Sequence, residues 1–232
     1  MRALILDGES NYVRDAETDE IGVIAIHGPN VFAGYLDPAH NKGIWIERAG
    51  ETWLSTGDLG RRDADGYFWL TGRKKELIIR GRHNIDPKLI EEPLHHHPAV
   101  ALAAAIGRPD AHSGEVPVAY VQLKSGAAAS PAELLAFAQK NIPERAAWPK
   151  AVRVVDKLPT TNVGKIFKPD LQRLEIEDLV RAEAAKAGAV VANISFRQDQ
   201  TRGLTTCVQV SRGGEDLRIA LTKYSFASEI AA

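Results

Sequence analysis

Cysteine is almost absent from this 232-residue chain: Cys207 stands alone, so no intramolecular disulfide can form, and the count fits a reducing cytoplasm. An excess of either charge is also missing. Twenty-nine Lys and Arg face 30 Asp and Glu, a formal net charge of −1, which removes the electrostatic footprint of a nucleic-acid or anionic-membrane binder. No apolar run approaches the ~20 residues of a membrane span; the longest, AVALAAAIG, is far shorter. The opening MRALILDGESNYVRD turns acidic too early for a secretory signal. Internal repeats and low-complexity tracts are lacking. A metal site is not expected either: the three consecutive histidines His95, His96 and His97 point in different directions around a helix, and the dipole of a helix C-terminus explains them better. The four Trp read as packing residues.

What remains is a chain long enough for a real hydrophobic core, patterned as α+β. Residues 1 to about 71 read as short strands between Gly, Asp and Pro turns: GVIAIHG, TWLST, Arg61-Arg62 and YFWLTG, with Asp65-Gly66 as a tight turn. ELIIRG adds a strand. DPKLIEEPLHHHP reads as a short helix with Asp86 as N-cap and Pro87 at the first helical position. Two strands follow, AVALAAAIG and VPVAYVQLK, separated by a polar loop RPDAHSGE. SPAELLAFAQKNI is a helix capped by Ser130, with Leu134, Leu135 and Ala138 on its apolar face, and KAVRVVDKLP is a strand. Beyond Lys168, Leu171, Leu174, Leu179, Val180 and Ala182 mark an amphipathic helix that stops near Gly188. AVVANISF and LTTCVQV then form a hairpin across RQDQTRG, and Leu217, Leu221 and Tyr224 mark a final helix. Cys207 sits in the second of these strands with no histidine partner in view, as a small structural residue.

One stretch, PTTNVGKIFK, resists this reading. Gly164-Lys165 suggests phosphate binding, yet Ile166 follows the lysine and no glycine stands five residues before Gly164, so the NTPase phosphate loop is excluded. Two further motifs precede it: STGDLG at Ser55–Gly60, and LTGRKKELIIRGRHNIDPKLIEE from Leu70 to Glu92. In order and spacing the three together resemble the acyl-adenylate-forming (AMP-binding) enzymes, and the acyl-CoA synthetase and fatty-acid–CoA ligase branch most. GPNVFAGYLDP and HPAVALAAAIGRPDAHSGEVPVAYV add to the resemblance, which covers residues 1 to about 170.

The resemblance implies a two-step ligase: a carboxylate and ATP give acyl-AMP and pyrophosphate, and CoA then displaces AMP. It implies that Lys165 is catalytic, offsetting negative charge at the α-phosphate, a role of about 3–4 kcal/mol. Gly164 would allow close backbone approach, and Thr160, Thr161 and Asn162 would keep the loop polar and mobile. Asp58 would accept the two ribose hydroxyls, with Arg73 donating to the same ribose or to phosphate. Lys75 would be the hinge about which the small domain swings. Gly81, Arg82 and His83 would then face the CoA channel. The family usually has two adjacent glycines where this chain has Gly81-Arg82, a departure that offers an arginine for CoA phosphates in place of the second glycine's backbone contact to pantetheine.

By the same resemblance the domains are 1–74, the β-rich end of the large adenylate-forming domain; 75–170, the small C-terminal domain; and 171–232, an appended helix–hairpin–helix tail. The large domain's Ser/Thr/Gly-rich phosphate loop, its adenine- and magnesium-binding segment and its acyl pocket have no counterpart here. The expected partners are that N-terminal large domain, a carboxylic (fatty) acid and CoA. ATP, Mg2+ and CoA serve the full enzyme, with none held tightly by this chain. Taken alone the chain is expected to be inactive and to self-associate through uncovered apolar area. Two other readings stay open: adenylation that loads a carrier-protein phosphopantetheine, and a truncated, non-enzymatic interaction module. Met1 is a natural start, an internal start or an artificial boundary.

Overall fold

Gly, Asp and Pro punctuation breaks the first part of the chain into antiparallel strands: β1 (Arg2–Leu6), β2 (Tyr12–Asp15), β3 (Gly22–Ile26), β4 (Trp45–Arg48), β5 (Glu51–Arg62) and β6 (Phe68–Arg73). They form one sheet in the order β2-β1-β3-β5-β4, with β6 also paired to β5. TWLST and Arg61-Arg62, read as separate strands, are one strand: β5 runs unbroken through STGDLG and takes up the extra residues as register shifts near Gly57, whose φ is +75°. The Asp65-Gly66 turn lies inside a longer connection closed by Asp63 N–H to Tyr67 O and Gly66 N–H to Asp63 O. Leu4, Ala25, Ile46 and Trp53 make the core of this sheet. Trp69 does not pack as expected; it is 54% exposed, and its indole donates to Asp63 Oδ2.

The computed structural model describes residues 1–199 and 203–231, and divides them between two units, Met1–Leu77 and Ile78–Ala232. In the second unit, β7 (Ile78–Arg80) and β8 (His83–Ile85) form a hairpin before α1 (Lys88–His95). The helix starts at Lys88, so Pro87 takes the N-cap position expected for Asp86, and Asp86 lies one residue outside, where its Oδ1 still accepts from Lys88 N–H. Next come β9 (Val100–Asp110), β10 (Gly114–Leu123), α2 (Pro131–Asn141) and β11 (Ala151–Val155). RPDAHSGE is not a loop throughout. The β9–β10 ladder continues past Arg108 and Pro109 to Asp110, leaving a turn at residues 111–113 held by Asp110 Oδ1, which accepts from His112 and Ser113 N–H. α2 is capped by Ser130 as expected, and the structure completes a capping box with Glu133 that sequence reading had not named.

β10 is the spine of this sheet. It pairs along its length with β9, in parallel with β11 over Val118–Gln122, and with β7 at Gly114. Both faces are covered, which is why AVALAAAIG is apolar without alternation. Ala103, Ala105, Ala119 and Val121 meet α1 and α2 on one side, while Ala104, Ile106, Val118 and Tyr120 meet Leu158 and Leu171 on the other. Two of the three histidines at the end of α1 are tied by hydrogen bonds. His95 Nε2 accepts from Ala103 N–H and His97 Nδ1 from Ala99 N–H, and His97 packs edge-on to Phe137.

α3 (Lys168–Lys186) ends where Gly188 takes a φ of +64°. Its buried residues are Leu171, Glu175, Ile176, Leu179, Val180, Glu183 and Ala184, whereas Leu174 and Ala182 are exposed, against expectation. The helix is covered twice: Leu171 by the β9–β10 sheet, and Ile176, Leu179, Val180 and Ala184 by the tail. The tail comprises β12 (Val190–Asp199), β13 (Gly203–Arg212), α4 (Gly214–Leu221) and β14 (Ala227–Ala231). The hairpin forms, though residues 200–202 of its RQDQTRG connection lie outside the described residues. Tyr224 falls beyond α4 and packs near Phe226, and an unforeseen strand, β14, pairs in parallel with β13. No helix among the described residues is long and apolar enough to cross a membrane.

Glu183 fastens the tail to α3. Its side chain is 4% exposed and receives Lys186 and Lys223 Nζ, each at 2.7 Å. Burial pushes its carboxyl up, but the two ammonium hydrogen bonds outweigh burial and hold it at about 2, below its ordinary 4.5. A depressed folded value adds stability above pH 4.5 that disappears as pH falls toward 2. Amide exchange of β13 should therefore quicken across that window, and Glu183→Gln should remove most of this acid response; an unchanged response would place the lability elsewhere.

Candidate functional site

Asp58 and Arg73 are direct cross-strand partners on β5 and β6. Arg73 Nε lies 3.2 Å from Asp58 Oδ1, and the aspartate side chain is 28% exposed, so a carboxylate and a guanidinium share one accessible spot. Thr56 orders the approach: its hydroxyl donates to Ile24 O, and its Oγ1 accepts from Asp58 N–H. Lys75 sits in a single 3-10 turn, Lys74–Glu76, just before the division between the two units at Leu77. Lys74 Nζ is spent on Ser10 Oγ, while Lys75 is exposed.

Gly81 and Arg82 are the two loop residues of the β7–β8 hairpin, since Arg80 pairs with His83. A two-residue hairpin loop asks for positive φ at its first position, and Gly81 supplies +61°. Around this loop, Gly81 N–H donates to Ser113 O, Arg80 Nη1 donates to Ala146 O, and His83 Nδ1 lies 3.5 Å from Glu144 Oε1. Arg82 is exposed.

The loop of Lys165 is a closed turn rather than a slack chain. Thr160 bridges to Ile166, Thr161 N–H donates to Lys165 O, Gly164 N–H to Thr161 O, and Phe167 N–H to Pro159 O. Gly164 takes a φ of +79°, which a side chain would resist, and Thr161 Oγ1 accepts from Lys165 N–H. Thr161 thus orders the loop instead of loosening it. Lys165 is exposed, with no carboxylate among the described residues within ion-pair reach.

The sheet keeps these groups apart. The hairpin of Gly81, Arg82 and His83 hangs on the Gly114 end of β10. Lys165 belongs to the loop that leaves the other end, where Leu158 N–H donates to Gln122 Oε1. Eight residues of strand at ~3.3 Å each separate the two stems by about 26 Å. Sequence reading passed over Glu115, whose Oε2 accepts from Ile79 N–H and whose carboxyl is pushed up by burial. The one available signal was an acidic residue two positions before Pro117 at the start of an otherwise apolar strand.

Residues 89–165 match the family described as the AMP-binding enzyme C-terminal domain. The chain is similar to the marinolic acid–CoA ligase of Pseudoalteromonas sp., 49% identical over 181 residues, which are 78% of this chain and 27% of that protein. It is also similar to the sulfoacetate–CoA ligase of Cupriavidus necator, 42% identical over 166 residues, 70% of this chain and 30% of that protein. Among solved structures, ATP-bound MatB from Rhodopseudomonas palustris superposes with a TM-score of 0.65 at 33% identity, over 75% of this chain and 33% of that one. The chain therefore spans less than a third of the length of these curated relatives. With the family match, the ligase relatives and the shared fold in agreement, the chain carries the C-terminal domain of the adenylate-forming, AMP-binding enzymes.

Proposed function

We propose that this chain is the C-terminal part of an ATP-dependent acyl-CoA synthetase. In the first half-reaction a carboxylate oxygen attacks the α-phosphorus of ATP and pyrophosphate leaves; in the second the CoA sulfur attacks the acyl carbon, loses its proton, and AMP leaves. The separation of the two candidate sites on β10 carries this reading. Lys165 at one end serves adenylation, and Gly81, Arg82 and His83 at the other serve thiol entry. A rigid sheet cannot bring both to one acyl group at once, so the unit must turn between steps. Lys75 is the pivot, in the short turn ahead of the division at Leu77. Asp58 accepts the ribose hydroxyls, and Arg73, already beside it, adds a donor. Among the described residues no three His, Cys, Asp or Glu gather as a metal site.

A preceding large domain would supply the adenine, pyrophosphate and acyl contacts. Exposed Phe32, Tyr35, Leu36, Tyr67 and Leu70 on the first unit are apolar surface for it to cover, and in its absence a route to self-association. The two ligase relatives bear different acids in their names, so the substrate is assigned as a carboxylic acid, with fatty acids first among those to test. Co-expression with the upstream large domain should restore acyl-dependent ATP–pyrophosphate exchange. By contrast, the 232-residue chain alone should show no ATP binding by calorimetry; micromolar affinity would refute this division of labour between the chain and the large domain.

Lys75→Pro restricts the pivot by fixing φ. It should slow thioester formation at least about tenfold more than adenylation, a rate ratio worth about 1.4 kcal/mol. Equal rates in the variant and the parent enzyme would move the hinge elsewhere.

A further inference from the structure

The β9–β10 hairpin grips the β7–β8 hairpin at two backbone donors two residues apart. Ser113 O accepts from Gly81 N–H at 2.7 Å, and Glu115 Oε2 accepts from Ile79 N–H at 2.8 Å. The first contact is backbone to backbone and follows from the turn that Asp110 holds. The second depends on one side chain, and the chain has made room for it. A Cβ built on Gly107 would overlap Glu115 Oε2 and lie 2.5 Å from its carboxyl carbon. Gly107 φ does not demand glycine, so its bare Cα is a slot for the carboxyl group. β7 has only three residues and pairs with β10 at a single position, so its own ladder does little to hold it.

We propose that Glu115, seated in the slot left by Gly107, is a positioning residue: it sets the backbone of the Arg80–His83 hairpin and thereby the alignment of the thiol path. This rests on the assignment of that hairpin to thiol delivery. Glu115 touches neither nucleotide nor acyl group in this scheme; it acts through Ile79, two residues before Gly81. Burial of a carboxyl without a cation beside it is costly, and the backbone amide is the group that offsets it.

Three variants separate the possibilities. Glu115→Gln keeps a carbonyl acceptor for Ile79 N–H; Glu115→Ala removes it; Gly107→Ala leaves Glu115 in place but fills its slot, and the displaced atoms are the free end of a side chain. In the 232-residue chain, hydrogen exchange at the Ile79 and Gly81 amides should speed at least tenfold in Glu115→Ala and Gly107→Ala. It should stay within threefold of the parent in Glu115→Gln, and β11 should be unaffected in all three. In the synthetase assembled with its large domain, Glu115→Ala and Gly107→Ala should form thioester from supplied acyl-AMP at least tenfold more slowly at saturating acyl-AMP. ATP–pyrophosphate exchange should hold, and Gln should rescue. Unchanged exchange at Ile79 and Gly81, or Gln behaving like Ala, overturns the positioning role. Faster exchange with normal thioester formation keeps the anchor but overturns both the role in thiol alignment and the assignment of the hairpin to the thiol step.

Discussion

Lys165→Ala in the assembled synthetase should lower acyl-dependent ATP–pyrophosphate exchange about 10²–10³-fold, the loss that follows from removing one preorganised charge of about 3–4 kcal/mol. Thioester formation from supplied acyl-AMP should fall far less, because the charge that Lys165 offsets develops only while the carboxylate meets the α-phosphate. The structure favours a clean result. Lys165 is exposed on a turn whose closing hydrogen bonds are made by its backbone and by Thr161, so trimming the side chain leaves the turn intact. Lys165→Arg should not restore the rate, since a planar fork replaces a compact ammonium. Equal loss in both half-reactions would refute the role.

Glu175→Ala should be the most damaging single change to stability. Glu175 is fully buried; its Oε1 accepts from the Tyr120 hydroxyl at 2.7 Å and Arg153 Nε at 2.5 Å, and its Oε2 lies 3.3 Å from Arg108 Nη1. Burial and the neighbouring Glu175 side chain push the Tyr120 phenol up, so the phenol keeps its proton and donates it to Glu175 Oε1. Removing the carboxylate strands two cations over the sheet. Breaking such a pair costs about 3–5 kcal/mol. The lower figure applies here, because both arginine side chains are about one-third exposed and Arg153 keeps Asp178 at 3.0 Å. A loss of about 3 kcal/mol should lower the melting temperature of the second unit by roughly 6–12 °C. Glu175→Gln, which still accepts from Tyr120, should cost less. A melting temperature within 2 °C of the parent would show that water or relaxation compensates the arginines, at ~2–4 °C per kcal/mol.

Glu175 also marks where sequence reading stops. In the pattern of α3 it is one more acid on a helix with a single apolar face, and Leu174 and Ala182 read as members of that face. Burial belongs instead to Glu175 and Glu183, because α3 is covered by a sheet on one side and by the tail on the other. Helical periodicity reports one buried stripe; it does not report a second layer that arrives from elsewhere in the chain.

Much of the rest was legible for local reasons. The cap at Ser130, the helix stop near Gly188 and the unbroken apolar run of β9 each depend on a few neighbouring residues. The family was legible too, since STGDLG, TGRKK and PTTNVGK keep their order and spacing whatever the packing between them. Long-range pairing was not. β5 as one strand, β14, the hydrogen-bonded histidines and the slot that Gly107 leaves for Glu115 require partners that lie outside the local sequence window. Sequence by itself therefore determined the α+β class, most of the elements and the candidates Asp58, Arg73, Lys75, Gly81, Arg82, His83 and Lys165. Only the tertiary structure set Asp58 against Arg73, and only the sheet order placed the hairpin and the Lys165 loop at opposite ends of β10. The physical reason is range: propensity, caps and turn chemistry act over a few residues, whereas which strand ends meet is decided by burying both faces of one sheet at once.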